Sequence, residues 1–282
     1  MVTRRSFLTT SATVATALIA LNPLTRAASP GHKLKNFGFI SGIIGKELKG
    51  DWKAVLKKCV EYGFTEIEIA RYLGDSASSF LAFCKEIGIK PTVGGISLST
   101  KEADIQKSLD ALEALDIKIA VNYWPWLTGG PFKLEDCKKS IEILNTLGEA
   151  CKKRGITFCW HNHDKEFTEM EEGLPFDYLM NHTDKDMVKC EMDVYWVAKG
   201  GADPIALLKK YSGRYEVLHL KDMTRTDEKT FECVGSGIID FPNIIKEGDK
   251  QNIKHYFLEY DNVVDGMACL KSSGIYLRNL SF

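Results

Sequence analysis

The sequence predicts an α/β chain folded as a (β/α)8 barrel, a TIM barrel, forming a single domain after an N-terminal export segment. Three observations carry the prediction. Eight strand-like runs alternate with amphipathic stretches over about 245 residues, which is the rhythm of that barrel. Glycines fall between helical runs and the strands that follow. Several strands end on a His, Asp or Glu, and in such a barrel all strand C-termini open into one pocket.

Residues 1–28 read as a twin-arginine export signal. Arg4 and Arg5 precede Ser6-Phe7-Leu8, an apolar small-residue stretch runs from Ala12 to Leu21, and Ala27-Ala28 suits cleavage. The stretch is short for a membrane span, and no cysteine precedes Cys59 to carry a lipid anchor. The expected location is periplasmic or otherwise exported, with no membrane anchor after processing. From residue 33 to 282 the barrel is expected without a linker or low-complexity break.

The strands are expected at 36–42, 64–70, 89–96, 117–123, 156–163, 187–194, 215–220 and 254–260. Helical stretches include 51–62, 76–87, 101–115, 134–154 and 204–211. Asp51 before Trp52, and Glu135 with Asp136, put acidic groups where the helix dipole favours them. Gly63, Gly88 and Gly155 each stand where a helix would end and a strand begin. An open doubly wound sheet is the rival, but the spacing of Gly38, Gly42 and Gly45 is not a dinucleotide fingerprint.

Composition excludes some partners. The chain carries 37 basic and 38 acidic residues, and with residues 1–28 removed the balance is 34 against 38, a charge of −4. With no Lys/Arg run it is a poor match for a phosphate backbone, so no nucleic acid is expected. The eight cysteines are scattered with no C-x-x-C pair. They read as buried free thiols rather than a disulfide framework.

The strand ends supply the chemistry. His161 and His163 are two apart, so both face the same side of a strand. One imidazole can bind metal while the other acts as a base, and the residues alone leave open which does which. Asp193 ends an apolar strand, with capping of the next helix as the alternative. His219 lies between Leu218 and Leu220, and Glu259 closes Phe257-Leu258. The expected metal ligands are His161, Asp193, His219 and Glu259. Two histidines and two carboxylates suit one divalent ion of Mn, Zn, Co or Fe, with Mg a poorer match. His163, Lys221 and Glu259 are the expected catalytic groups. Glu68, Trp124 and Trp196 are expected to bind substrate, Glu68 through a hydroxyl and the tryptophans by stacking on a sugar face. Trp126 and Trp160 also sit near strand ends.

The chain resembles the sugar phosphate isomerase/epimerase family, the xylose-isomerase-like TIM barrels. The matching strings are Trp160-His161-Asn162-His163-Asp164-Lys165-Glu166-Phe167, Met192-Asp193-Val194-Tyr195-Trp196, His219-Leu220-Lys221-Asp222, Val234-Gly235-Ser236-Gly237 and Leu258-Glu259-Tyr260-Asp261. The resemblance implies a divalent metal held by residues from the last four strands. Asp193, His219 and Glu259 match three of those ligands, while a histidine, His161, stands where many relatives have Glu. It also implies a small-molecule carbohydrate substrate and a homo-oligomer. Export and the lack of a basic phosphate clamp point to an unphosphorylated sugar or keto-sugar. Isomerisation or epimerisation through an enediolate is the first expectation. A 3-keto-glycoside lyase or hydratase working by β-elimination is the second, and a non-catalytic sugar-binding protein the third. Abasic-site nucleases share the barrel but use many histidines, and this chain has six.

Overall fold

In the computed structural model, eight parallel strands close into a barrel. They are β1 (Gly38–Ile40), β2 (Glu66–Ile69), β3 (Lys90–Gly95), β4 (Ile119–Asn122), β5 (Thr157–His161), β6 (Val188–Asp193) and β7 (Tyr215–Leu220). A small antiparallel hairpin of β8 (Asp222–Met223) and β9 (Phe231–Glu232) then precedes β10 (His255–Leu258). β1 pairs with β2 on one side and β10 on the other, so no barrel edge is left open. The structure describes residues 32–70, 76–125 and 132–282. The segment read as an export signal and Trp126 lie outside the described residues.

Each of the eight expected strands is present. Their ends retreat by one or two residues except at β7, where the boundaries coincide. The helices α1 (Trp52–Glu61), α2 (Ala77–Ile87), α3 (Glu102–Ala114) and α4 (Leu134–Lys153) follow the first four strands. The later ones are α5 (Pro175–His182), α6 (Val194–Lys199), α7 (Pro204–Lys210), α8 (Phe241–Lys250) and α9 (Gly266–Asn279). Asp51 caps α1, accepting from the Ala54 N–H at 3.1 Å. Gly63, Gly88 and Gly155 have φ of 106°, 80° and 67°, values that cost a side chain dearly and glycine little.

The pleat sorts each strand into two faces. Outward residues such as Phe158, Trp160, Cys190, Met192, Leu218 and Leu220 join the main core beneath the helices. Inward residues Val93, Ile119, Val121, Cys159, Val217 and Phe257 form a separate cluster that plugs the barrel. Gly38 makes room for that plug, because a Cβ there would stand 2.3 Å from the Phe257 ring. Packed on this floor, the inward positions nearer the strand C-termini are free to carry polar groups.

The expectation of free thiols needs one correction. Cys59, Cys84, Cys137, Cys151, Cys159 and Cys190 are buried and free. Cys233 and Cys269 form a disulfide, with Cα atoms 5.5 Å apart. It ties the chain just after β9 to α9. The two lie 36 residues apart, one in a loop and one in α9, so no sequence spacing marks them as a pair.

Candidate metal centre

Four of the predicted side chains converge above the apolar floor. Each of His161, Asp193, His219 and Glu259 offers one ligand atom, and these atoms lie within 4.8 Å of one another. Register explains the meeting: Asp193 at the end of β6 stands opposite His219 of β7, and His161 at the end of β5 stands opposite Glu191 of β6. His161, Asp193 and His219 are essentially inaccessible to solvent, and Glu259 retains slight access.

Asp193 shows how the backbone frees a ligand. The residue caps α6 through Oδ1, which accepts from the Trp196 N–H at 3.0 Å. Asn162 fixes its backbone on both sides, accepting from the Asp193 N–H at 3.0 Å and donating to its carbonyl at 3.3 Å. The capping role weighed for Asp193 is therefore real, yet it uses one oxygen. Oδ2 is buried with no hydrogen-bond partner, and 3.8 Å from His161 Nε2. A buried carboxylate oxygen without a partner is costly, and a cation in this cluster would satisfy it.

Carboxylates surround the two imidazoles. His219 Nδ1 lies 2.7 Å from Glu259 Oε2, and its Nε2 lies 2.7 Å from Glu68 Oε2 and 3.1 Å from Glu191 Oε1. Burial opposes charge on His219, but Glu191, Glu68 and Glu259 outweigh it and lift its pKa well above the ordinary value. Burial likewise opposes charge on Glu259, yet Lys221 and His219 hold its carboxyl well below the usual range. Asp193 goes the other way, pushed up by burial against the pull of Lys221. Burial, then the charge of Glu68, raises Glu191 to about 8. His161 is driven down by burial and stays neutral.

A cavity of about 560 Å³ opens over the cluster. His161, Glu259, His163, Trp124, Tyr260 and Asp261 are on its wall, as are the exposed Lys46 and Lys49. His163 stands 4.8 Å from His161, ring to ring, and stacks on Trp124 with centroids 4.4 Å apart and planes 20° apart. Burial holds the His163 pKa down to about 3, so the ring is neutral at ordinary pH. Trp124 exposes 57% of its surface.

Three other predicted residues sit elsewhere than on that wall. Glu68, expected at a substrate hydroxyl, is fully buried beneath His219 and accepts from the Tyr123 hydroxyl at 2.6 Å. Lys221 is also fully buried. Its Nζ pairs with Asp261 and lies 3.7 Å from Glu259 and 3.8 Å from Asp193. The rings of Phe231 and Trp196 cover it at 4.5 and 4.8 Å. Trp196 is half-buried behind His163, with ring centroids 5.4 Å apart. Sequence reasoning passed over Glu191, Tyr123 and Asp261. Glu191 had a signal, since it lies two residues before Asp193 and so shares its face.

Comparison with known proteins agrees with this geometry. The family model described as xylose isomerase-like TIM barrel matches residues 56–272. An inosose dehydratase of Clostridium perfringens is 27% identical over 248 residues, covering 78% of this chain and 77% of that protein. An inosose dehydratase of Clostridium beijerinckii is 30% identical over 144 residues, and this match spans about half of it, 47%, and 45% of this chain. Among solved structures, a sugar phosphate isomerase/epimerase of Parabacteroides distasonis superposes with a TM-score of 0.74 at 25% identity. That superposition covers 91% of this chain and 98% of the other. With the barrel, the buried ligand cluster and a family match over most of its length, the chain belongs to the xylose isomerase-like TIM barrel family.

Proposed function

We propose that the protein is a divalent-metal-dependent lyase that eliminates water or an alcohol from an unphosphorylated keto-sugar or polyol ketone. The observation that carries this reading is one neutral imidazole, His163, on the cavity wall beside the ligand cluster. In this reading His161, Asp193, His219 and Glu259 hold the ion, and the unpartnered Asp193 Oδ2 supports the fit. Zn, Mn, Co and Fe(II) suit that donor set better than Mg. When bound, the ion supplies Lewis acidity toward a carbonyl oxygen and its neighbour.

His163 then takes the proton from the carbon beside the carbonyl. A pKa near 3 makes it a weak base that gives the proton up readily. That is a handicap for abstraction and an advantage for the second half of an elimination, where the departing oxygen needs a proton. One base on one face can serve both halves. Trp124, on the cavity wall, is placed to meet the sugar, while buried Glu68 and Lys221 act from behind the ligands. The likeness to an inosose dehydratase over most of the chain supports elimination.

A second reading, isomerisation or epimerisation, is favoured by Glu259, which also lines the cavity and is held ionised. It gives a second acid–base group, as proton return from another direction requires. The likeness to the Parabacteroides structure supports it. We further propose export through residues 1–28, and the Cys233–Cys269 disulfide suits an oxidising compartment. A reporter fused to residues 1–30 that stays cytoplasmic would remove that proposal.

The deciding experiment is proton NMR in D2O with Zn- or Mn-loaded protein. The panel holds inososes, 3-keto-glycosides and ketoses, with phosphorylated counterparts because Lys46 and Lys49 are on the cavity wall. Loss of water or aglycone with an unsaturated ketone supports the lyase. Deuterium beside the carbonyl on an intact skeleton establishes the isomerase or epimerase instead. Binding without either change refutes catalysis on these substrates.

A further inference from the structure

Both imidazoles of the cluster turn one nitrogen inward and the other to the same atom. His161 Nε2 lies 3.8 Å from both Asp193 Oδ2 and Glu259 Oε2, while its Nδ1 lies 3.0 Å from Glu191 Oε1. His219 Nδ1 faces Glu259 Oε2, and its Nε2 lies 3.1 Å from that same Glu191 Oε1. Glu191 has no solvent exposure, and its other oxygen, Oε2, has no hydrogen-bond partner. A carboxylate in that position is costly to bury, and its neighbours within ion-pair distance are the two imidazoles.

We propose that Glu191 is a positioning residue for the metal centre, the common acceptor that sets the tautomers of two ligand histidines. An imidazole nitrogen that donates a hydrogen bond carries the proton, leaving its lone pair on the other nitrogen. Glu191 Oε1 therefore puts a proton on His161 Nδ1 and, together with Glu68 Oε2 at 2.7 Å, on His219 Nε2. Once metal displaces the second proton of His219, the lone pairs of His161 Nε2 and His219 Nδ1 point at the position enclosed by Asp193 and Glu259. Because one oxygen serves both rings, it also fixes their relative orientation. Glu68 meets one of the two imidazoles, His219, and accepts from the Tyr123 hydroxyl through its other oxygen, so it supports one ring where Glu191 supports two. This inference rests on the metal-site reading above. The rival use of Glu68, Glu191 and His219 as a second ion site requires His219 Nε2 to be a ligand rather than a donor.

The test combines zinc titration against a chromophoric chelator with 15N NMR of histidine-labelled protein. The samples are the parent, Glu191→Ala, Glu191→Gln and Glu68→Gln. The parent is expected to bind one zinc per chain. Glu191→Ala should weaken binding by about 10–100-fold, the range seen when such hydrogen-bond partners are removed. Glu191→Gln, which keeps an acceptor oxygen, should lose less, and Glu68→Gln least. In metal-free Glu191→Ala the Nδ1–H signature of His161 should disappear while the melting temperature does not fall, an outcome a merely structural role would not give. Zinc affinity within twofold of the parent in both Glu191 variants overturns the proposal, as does a second zinc per chain. A parent that binds no zinc refutes the metal reading alone. Persistence of the His161 Nδ1–H in Glu191→Ala then refutes this inference, and its loss upholds it.

Discussion

Replacing Lys221 by Met tests what the lysine is for. In the metal-free chain its ammonium is a buried cation beside Asp193 and Glu259, 3.8 and 3.7 Å away. At an effective dielectric near 20, each such attraction is worth about 4 kcal/mol. Bringing the ammonium out of water cancels much of that gain. The contact with Asp261 is discounted because that side chain is 43% exposed. Removing one partner of a buried pair typically costs about 3–5 kcal/mol. For a domain of this size that lowers the melting temperature by about 6–20 °C.

The assay is thermal unfolding followed by circular dichroism on metal-stripped protein at neutral pH, repeated with saturating zinc. The metal-free variant should melt well below the parent. Zinc should recover more of the difference than it adds to the parent, because the carboxylates have lost a competing cation. A metal-free variant within about 2 °C of the parent would refute the reasoning. It would mean that Lys221 is not compensating the acidic cluster and acts on the substrate alone.

Three further outcomes follow from the same geometry. Burial keeps Asp193 above its usual range, and surrounding carboxylates overcome burial to do the same for His219, so both hold protons to higher pH than usual, and metal must displace them. Zinc binding should release about one to two protons, read from the buffer dependence of the calorimetric enthalpy, and a zero slope contradicts it. His163 titrates near 3 when folded, chiefly because of burial, against 6.5 for the ordinary value. Between those values the unfolded chain binds the extra proton, so stability is fully present above about pH 6.5 and is lost as pH falls toward 3. His163→Gln should flatten that acid limb, and an unchanged limb in urea titrations assigns it elsewhere. The Cys233–Cys269 bridge closes a loop of 36 residues, worth about 4 kcal/mol by chain entropy. Under denaturant without reductant, oxidised protein should expose six reactive thiols. Eight would contradict the bridge.

The barrel was legible because its signals are local. Alternating apolar residues, a helix-ending glycine such as Gly155 and an N-cap such as Asp51 each act within a few residues of themselves. The four clustered groups were legible for a related reason. A hard side chain at the end of an apolar strand has one place to go in a closed barrel. What was missed depends on contacts between distant segments. Nothing near Cys233 points to Cys269, and the hairpin carrying Phe231 over Lys221 is only two residues wide on each side. Glu68 and Lys221 were expected to reach substrate because strand position gives the face. Depth along the barrel axis, which decides between cavity wall and second layer, depends on the strand registers.

Depth also explains why the site can be acidic and still fold. Glu68, Glu191 and Asp193 are fully buried and Glu259 nearly so, with Lys221 as a buried cation in contact. Four ionised carboxylates in that space would repel one another strongly. Protons resolve the conflict in the metal-free chain: Glu191 and Asp193 titrate high, and His219 is held charged. A divalent ion resolves it differently, replacing protons with two concentrated charges. Proton and metal occupancy are then alternatives for one electrostatic demand. Metal affinity should fall as pH drops, and stability should rise with metal concentration by mass action. The acidity that makes the cluster costly without an ion is also what gives it affinity for one.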